Sequence, residues 1–261
     1  HQENILAYIK AWKNKHRTPH FKGWPDFQGG LLGIISYEVI TQFEPVVSAP
    51  VDINTPLAVF INASESCIFD KNKKELTVAI LCPTNQNAET SWRAAQKRSR
   101  ELVKKWISAC EVKPQEFPKN TKNNPQILNL SLDEEAFKSA VAQIKNYISS
   151  GDTYQVNLST RLEVPAIKPD RAYEWLRRNN PSPYMGYLKF PEGELVCGSP
   201  ELLVEVIDGK IRSRPIAGTR PRGGSPESDD NWVKELSENN KERAEHLMLV
   251  DLLRNDVGRV S

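Results

Sequence analysis

An α+β fold is predicted by three observations. Short apolar runs of strand length alternate with turn residues, amphipathic stretches at helical spacing lie between them, and Asp208-Gly209 sits between two such runs as a hairpin signal. Ile5, Leu6, Ile9 and Trp12 predict a helix over residues 3–15. Gly29-Gly30 then leads into Leu31-Leu32-Gly33-Ile34-Ile35, a strand whose glycines permit close backbone approach. Residues 57–62, 65–69 and 75–81 read as further strands, the last two joined by the polar turn 70–74. Trp92, Ala95, Leu102, Val103 and Trp106 predict a helix over 90–109.

Residues 111–126 contain three prolines and little apolar periodicity, and a linker is placed at 113–130 between a region 1–112 and a region 131–261. Ser131, three residues before Glu134, has the spacing of a capping box opening a helix that Gly151-Asp152 closes. A strand is predicted at 154–158, a helix at 170–178, and strands at 184–190 and 194–197 after the turn Asn180-Pro181-Ser182-Pro183. Two short strands flank Asp208-Gly209, and a helical pattern runs over 229–253 with a break at Asn239-Asn240.

The 261 residues fit one large domain or two smaller ones. Lys and Arg number 35 against 33 Asp and Glu, a net charge of +2, which argues against a nucleic-acid partner. No run approaches the roughly 18 apolar residues of a membrane span. Cys67, Cys82, Cys110 and Cys197 form no CxxC pair, and are read as buried, reduced thiols of a cytoplasmic protein. His1 is not a starting methionine and the chain stops at Ser261 directly after a helical pattern, so it is read as a fragment.

The phosphate-loop, nucleophile-elbow, HExxH and dinucleotide signatures are all missing from the sequence. Three segments carry potential chemistry. Glu242 and Glu245, at i and i+3, share a helix face; from spacing they read first as a solvated acidic face paired with Lys241 and Arg243, and otherwise as ligands for Mg²⁺. The stretch from Arg214 to Gly224 places a glycine and a hydroxyl beside three arginines, which suits a bound carboxylate or a plain basic loop. Glu201, just after a strand, suits a general acid or a surface carboxylate.

Five ordered motifs decide between these readings. They are Gly151-Asp152-Thr153-Tyr154-Gln155-Val156-Asn157-Leu158-Ser159, Asn180-Pro181-Ser182-Pro183-Tyr184-Met185, Gly198-Ser199-Pro200-Glu201, Pro215 to Gly223, and Lys241-Glu242-Arg243-Ala244-Glu245-His246 continuing to Asp256. In this order they resemble the chorismate-utilising enzymes, which include component I of anthranilate synthase and of aminodeoxychorismate synthase. The isochorismate and salicylate synthases belong there too. Residues 28–38 are similar to the glycine-rich strand of that family's amino-terminal region.

The resemblance implies an anthranilate synthase component I-like fold, a large antiparallel sheet sandwich with outer helices. Residues 1–112 would belong to its amino-terminal region and 131–261 to the first half of its chorismate-binding region. It implies Glu245 as a direct Mg²⁺ ligand with Glu242 beside it holding the metal shell, Gly218 and Thr219 as substrate contacts, and Glu201 as the acid near the departing hydroxyl. Pro183, Tyr184 and Met185 match one wall of a tryptophan pocket; the Leu-Leu-Glu-Ser segment of the other wall is absent. The family's Gly-Gly-Thr-x-Thr-Gly-Ala-Pro-Lys segment, its later histidine and its final Mg²⁺-binding glutamate are also absent, so the piece alone is expected to lack synthase activity.

Within the family, Asn157 resembles the aminodeoxychorismate branch, whereas Ala217 stands where many of those enzymes carry a nucleophilic lysine and anthranilate synthases carry alanine. A subset resembling Gram-positive aminodeoxychorismate synthases combines both features, and that branch is placed first. The resemblance then implies amination of chorismate with ammonia from a separate glutamine amidotransferase subunit. Without the lysine, either ammonia attacks C2 directly or water adds at C2 before ammonia enters at C4. Anthranilate synthesis, and an inactive chorismate-binding or regulatory module, are the alternatives.

Overall fold

The computed structural model describes residues 4–44, 46, 56–83, 87–112, 127–165 and 167–261. Two compact units divide the chain: His1–Phe117 with Phe190–Glu192, and Pro118–Lys189 with Gly193–Ser261. Helices and antiparallel strand pairs make up both, the α+β class expected. Residues 113–126 of the expected linker lie outside the described residues, and its last two, Asn129 and Leu130, are in a strand.

In the first unit, α1 (Ile5–Lys15) is capped by Asn4, whose side chain accepts from the amides of Leu6 and Ala7. Ile5 is buried, and its amide donates to Gln42 Oε1 at 3.1 Å, tying the helix start to the 3₁₀ turn Tyr37–Gln42. Strand β1 (Gly30–Ile35) pairs antiparallel with β2 (Ala58–Ala63), and β3 (Glu65–Asp70) with β4 (Glu75–Ile80). The pairing of β1 needs the glycine at its centre: a Cβ on Gly33 would stand 2.1 Å from the Val59 carbonyl oxygen. Helix α2 (Ala88–Cys110) is fastened to β3 by Arg98, whose Nε and Nη2 fork the two carboxylate oxygens of Glu65 at 2.8 and 2.9 Å. Phe69 and Trp106 add a stacked ring contact between the same two elements, with centroids 6.4 Å apart.

In the second unit, β5 (Asn129–Leu130) pairs with β6 (Leu162–Glu163), and helix α3 (Glu134–Ser150) follows β5. Asp133, not Ser131, caps α3: its carboxylate accepts from the Ala136 amide at 2.8 Å. Ser131 is drawn away because its amide extends the ladder to the Arg161 carbonyl and its hydroxyl accepts from the Arg161 amide. Gly151, at φ +82°, ends α3 as the sequence predicts. The strand predicted at 154–158 does not form. Those residues have no ladder partner, and Tyr154 and Val156 stand exposed.

Helix α4 (Pro169–Asn179) packs on the hairpin of β7 (Tyr184–Phe190) and β8 (Gly193–Ser199), with Tyr173 stacked on Tyr187 at 5.8 Å. Strands β9 (Glu205–Ile207) and β10 (Lys210–Arg212) turn through Asp208 and Gly209, both at positive φ. The long helical pattern divides into α5 (Pro226–Glu238) and α6 (Asn240–Gly258), broken where the sequence indicates.

Strands in the described residues pair two by two. Among those residues only Ile5, Val39 and Ala79 are buried, and many large apolar side chains, Leu247 and Leu203 among them, stay exposed. Cys82 and Cys110 are exposed and Cys67 and Cys197 half-buried, so the thiols are free but not the buried set the sequence suggests. Cys82 follows β4 and Cys110 ends α2, so both sit at the margins of their elements, where little packs over a side chain. No described helix is long and apolar enough to cross a membrane. Gly33→Ala should destabilise the protein by about 1–3 kcal/mol, because β2 must move to admit the methyl; urea unfolding of the full-length variant measures it.

Candidate functional site

The second unit brings four of the five motifs into one connected set. Glu201, exposed just past β8, accepts the Ile216 amide on Oε1 at 2.8 Å. That bond anchors the start of the loop from Arg214 to Gly224 to the strand end carrying Glu201. Gly218 has φ +76°, a conformation glycine adopts without strain. A Cβ there would meet Glu242 Oε2 and Leu236 Cδ1, each at 2.7 Å, so the loop backbone lies directly against the α6 carboxylate. Thr219 follows it, next to Arg220 in the same loop.

Arg220 ties this loop to two helices. Its Nε and Nη2 fork Glu235 of α5 at 2.5 and 3.1 Å, and its Nη1 donates to Glu242 Oε1 at 3.2 Å and to the Thr219 carbonyl at 3.0 Å. The Arg220 and Glu242 side chains are only 19% and 17% exposed, which strengthens their attraction over that of a surface pair. Asn239 joins the same group twice. Its Nδ2 donates to Glu235 Oε1 at 3.0 Å, and its Oδ1 caps α6 by accepting from the amides of Lys241 and Glu242.

Two of the three arginines in the loop, read from sequence as contacts for a carboxylate or as a plain basic loop, are therefore engaged within the protein. Arg220 holds Glu235 and Glu242, and Arg222 donates from Nε to Asp229 at 2.7 Å. Asp229 also accepts the Gly223 amide at 2.8 Å, and that bond, ahead of Arg222, holds its carboxyl below the usual range. Sequence spacing gives no sign of Glu235, Asp229 or Asn239 as partners. The break at Asn239-Asn240 is the available signal, since a helix break needs a cap.

Glu245, one turn beyond Glu242, accepts from a neutral group, Gln155 Nε2, at 3.4 Å. The first motif thereby meets the last. A hollow of about 450 Å³ opens beside Ala217, lined also by Val233, Leu236, Glu242 and His246. No group of three or more metal-ligating side chains is gathered among the described residues. The Glu245 carboxylate, met on Oε1 by a neutral amide, keeps its charge uncompensated by that bond and suits a hard cation that keeps most of its waters, whereas Oε1 of Glu242 is met by a guanidinium. Pro183, Tyr184 and Met185 belong to a different element, the entry to β7, with Tyr184 exposed.

The charge on Glu235 has a pH consequence. The Arg220 hydrogen bonds, followed by that of Asn239, hold its carboxyl at about 2 against an ordinary 4.5. A depressed folded value means that stability is fully present above the unfolded value and lost as pH falls from 4.5 towards 2. Glu235→Gln should thus be less stable than the parent above that window, and the difference should shrink within it. Urea unfolding on either side of the window reads this directly.

A family model described as chorismate binding enzyme matches residues 2–261. The chain is 39% identical to aminodeoxychorismate synthase component 1 of Bacillus subtilis, over 98% of this chain and 53% of that protein. It is 37% identical to anthranilate synthase component 1 of Acetivibrio thermocellus, over 99% and 53%. Its fold matches the crystal structure of anthranilate synthase component I from Streptococcus pneumoniae with a TM-score of 0.77 at 27% identity, covering 99% of this chain and 56% of that one. The chain spans about half the length of the curated relatives it matches. With its ordered motifs and a match across nearly all its residues, this chain belongs to the chorismate-binding enzyme family.

Proposed function

We propose that the protein carrying this chain aminates chorismate at C4 to give 4-amino-4-deoxychorismate, with ammonia supplied by a glutamine amidotransferase subunit. One observation carries this choice: Asn157 in the Tyr154–Ser159 motif stands together with Ala217, the combination of one aminodeoxychorismate subset. Similarity to the Bacillus subtilis aminodeoxychorismate synthase component supports it, and the relatives' designation as component 1 supports a partner subunit.

Glu201 is assigned the proton for the departing C4 hydroxyl. Its Oε1 is steadied by the Ile216 amide, and the proton would sit on Oε2. Gly218 and Thr219 are assigned to hold the substrate, the glycine because its φ of +76° is a conformation that residues with a Cβ rarely adopt. Glu245 is assigned to hold Mg²⁺, with Glu242 kept on Arg220 beside it. When bound, Mg²⁺ would supply positive charge to a substrate carboxylate. With alanine at 217, the lysine that attacks the ring in many relatives is missing at this position. Water or ammonia would instead add at C2 as the protonated C4 hydroxyl leaves, and ammonia would then enter at C4 as the C2 group departs. The second reading, formation of anthranilate and pyruvate, is favoured by Ala217 and by the similarity to anthranilate synthase components.

The test is to incubate the full-length protein with chorismate, Mg²⁺ and an ammonium salt and identify the product by mass and fluorescence. The proposal expects a C4-aminated chorismate that yields 4-aminobenzoate only after a lyase is added. Fluorescent 2-aminobenzoate with released pyruvate would establish the second reading instead. Glu201→Gln should lower kcat by about a hundredfold or more, the size expected for loss of a general acid.

A further inference from the structure

We propose that Arg220 is a positioning residue whose guanidinium fastens the substrate loop to the junction of α5 and α6, setting Gly218 and Thr219 at a fixed place beside the α6 carboxylates. The proposal rests on the assignment of Gly218 and Thr219 as chorismate contacts. Its ground is a closed circuit of hydrogen bonds. Arg220 leaves the loop and forks Glu235, Glu235 accepts from Asn239, Asn239 caps the amide of Glu242, and Glu242 accepts from Arg220.

The circuit takes up most of the guanidinium. Arg220 commits four of its five N–H donors to protein acceptors, and the one left on Nη2 cannot fork a substrate carboxylate. The bond from Nη1 to the Thr219 carbonyl orients the peptide between Thr219 and Arg220. Glu242 Oε2, 2.7 Å from where a Cβ on Gly218 would stand, puts that carboxylate directly beside the loop. Lysine cannot replace this group, because a single ammonium lacks the planar fork that meets Glu235 and Glu242 together. Arg222 makes a contrast on the same loop: its side chain is 89% exposed and serves Asp229 at the surface.

The experiment compares Arg220→Gln, Arg220→Lys and Glu235→Gln in the full-length protein, by amide hydrogen exchange and by chorismate kinetics. In Arg220→Gln the amides of residues 214–223 should exchange about tenfold faster or more, while those of α3 stay unchanged. The chorismate kcat/KM should fall by about a hundredfold, chiefly through KM, the size expected for a misplacement on the order of 1 Å. Arg220→Lys should restore little of it. Glu235→Gln keeps an acceptor oxygen and should lose far less. Unchanged loop exchange in Arg220→Gln would overturn the proposal, and so would equal acceleration in α3, which would make Arg220 a general stability residue. Failure of the parent protein to consume chorismate would sink the proposed function, while the exchange data would still decide the clamp.

Discussion

Two carboxylates from neighbouring helices cannot lie close together in a half-buried site without a cation between them. Arg220 is that cation, and the arrangement of the second unit around the site depends on it. Its planar fork meets α5 and α6 where one ends and the other begins, and its own backbone belongs to the loop that carries Gly218 and Thr219. Removing the guanidinium would leave Glu235 and Glu242 facing each other uncompensated. The break between α5 and α6 belongs to the same arrangement, because it frees Asn239 to cap one helix while steadying the acid at the end of the other.

This constraint divides the labour between the two α6 carboxylates. Glu242 and Glu245 have the same chemistry and lie one turn apart, yet one faces a guanidinium and the other an amide. Environment, not residue type, separates a strut from a group suited to a hard cation. Glu201 fits the same logic at the opposite end of the loop. Its bond to the Ile216 amide makes the loop and the acid a single positioned piece, so the group assigned as proton donor and the assigned substrate contacts share one scaffold.

Much of the fold is legible in the sequence because it is local. The helix starting after Asn4, the hairpins around 70–74 and Asp208-Gly209, Gly151 as a helix end and the break at Asn239 all arise from spacing and turn chemistry. Sequence reasoning fails where a distant partner decides the outcome. Tyr154–Leu158 has strand composition but no neighbour to pair with, and Ser131 has the right spacing for a cap but is taken by Arg161. At the site, family motifs single out Glu201, Gly218, Thr219, Glu242 and Glu245. The partners of Arg220 are invisible, since no local rule links residues 220, 235 and 242. Spacing alone leaves the three loop arginines as ligand contacts or as a plain basic loop; Arg220 and Arg222 are instead held by acids that only folding brings close. Strand pairs with exposed apolar faces are marginal as isolated elements, and the sheet arrangement is the feature that local periodicity specifies least.

The division of roles between Glu242 and Glu245 is tested most directly by anomalous diffraction from crystals of the full-length protein soaked in Mn²⁺. The expected result is a Mn²⁺ peak at coordination distance from the Glu245 carboxylate, with Glu242 still hydrogen-bonded to Arg220. A peak bound directly by Glu242, with Arg220 turned away from it, would contradict that division.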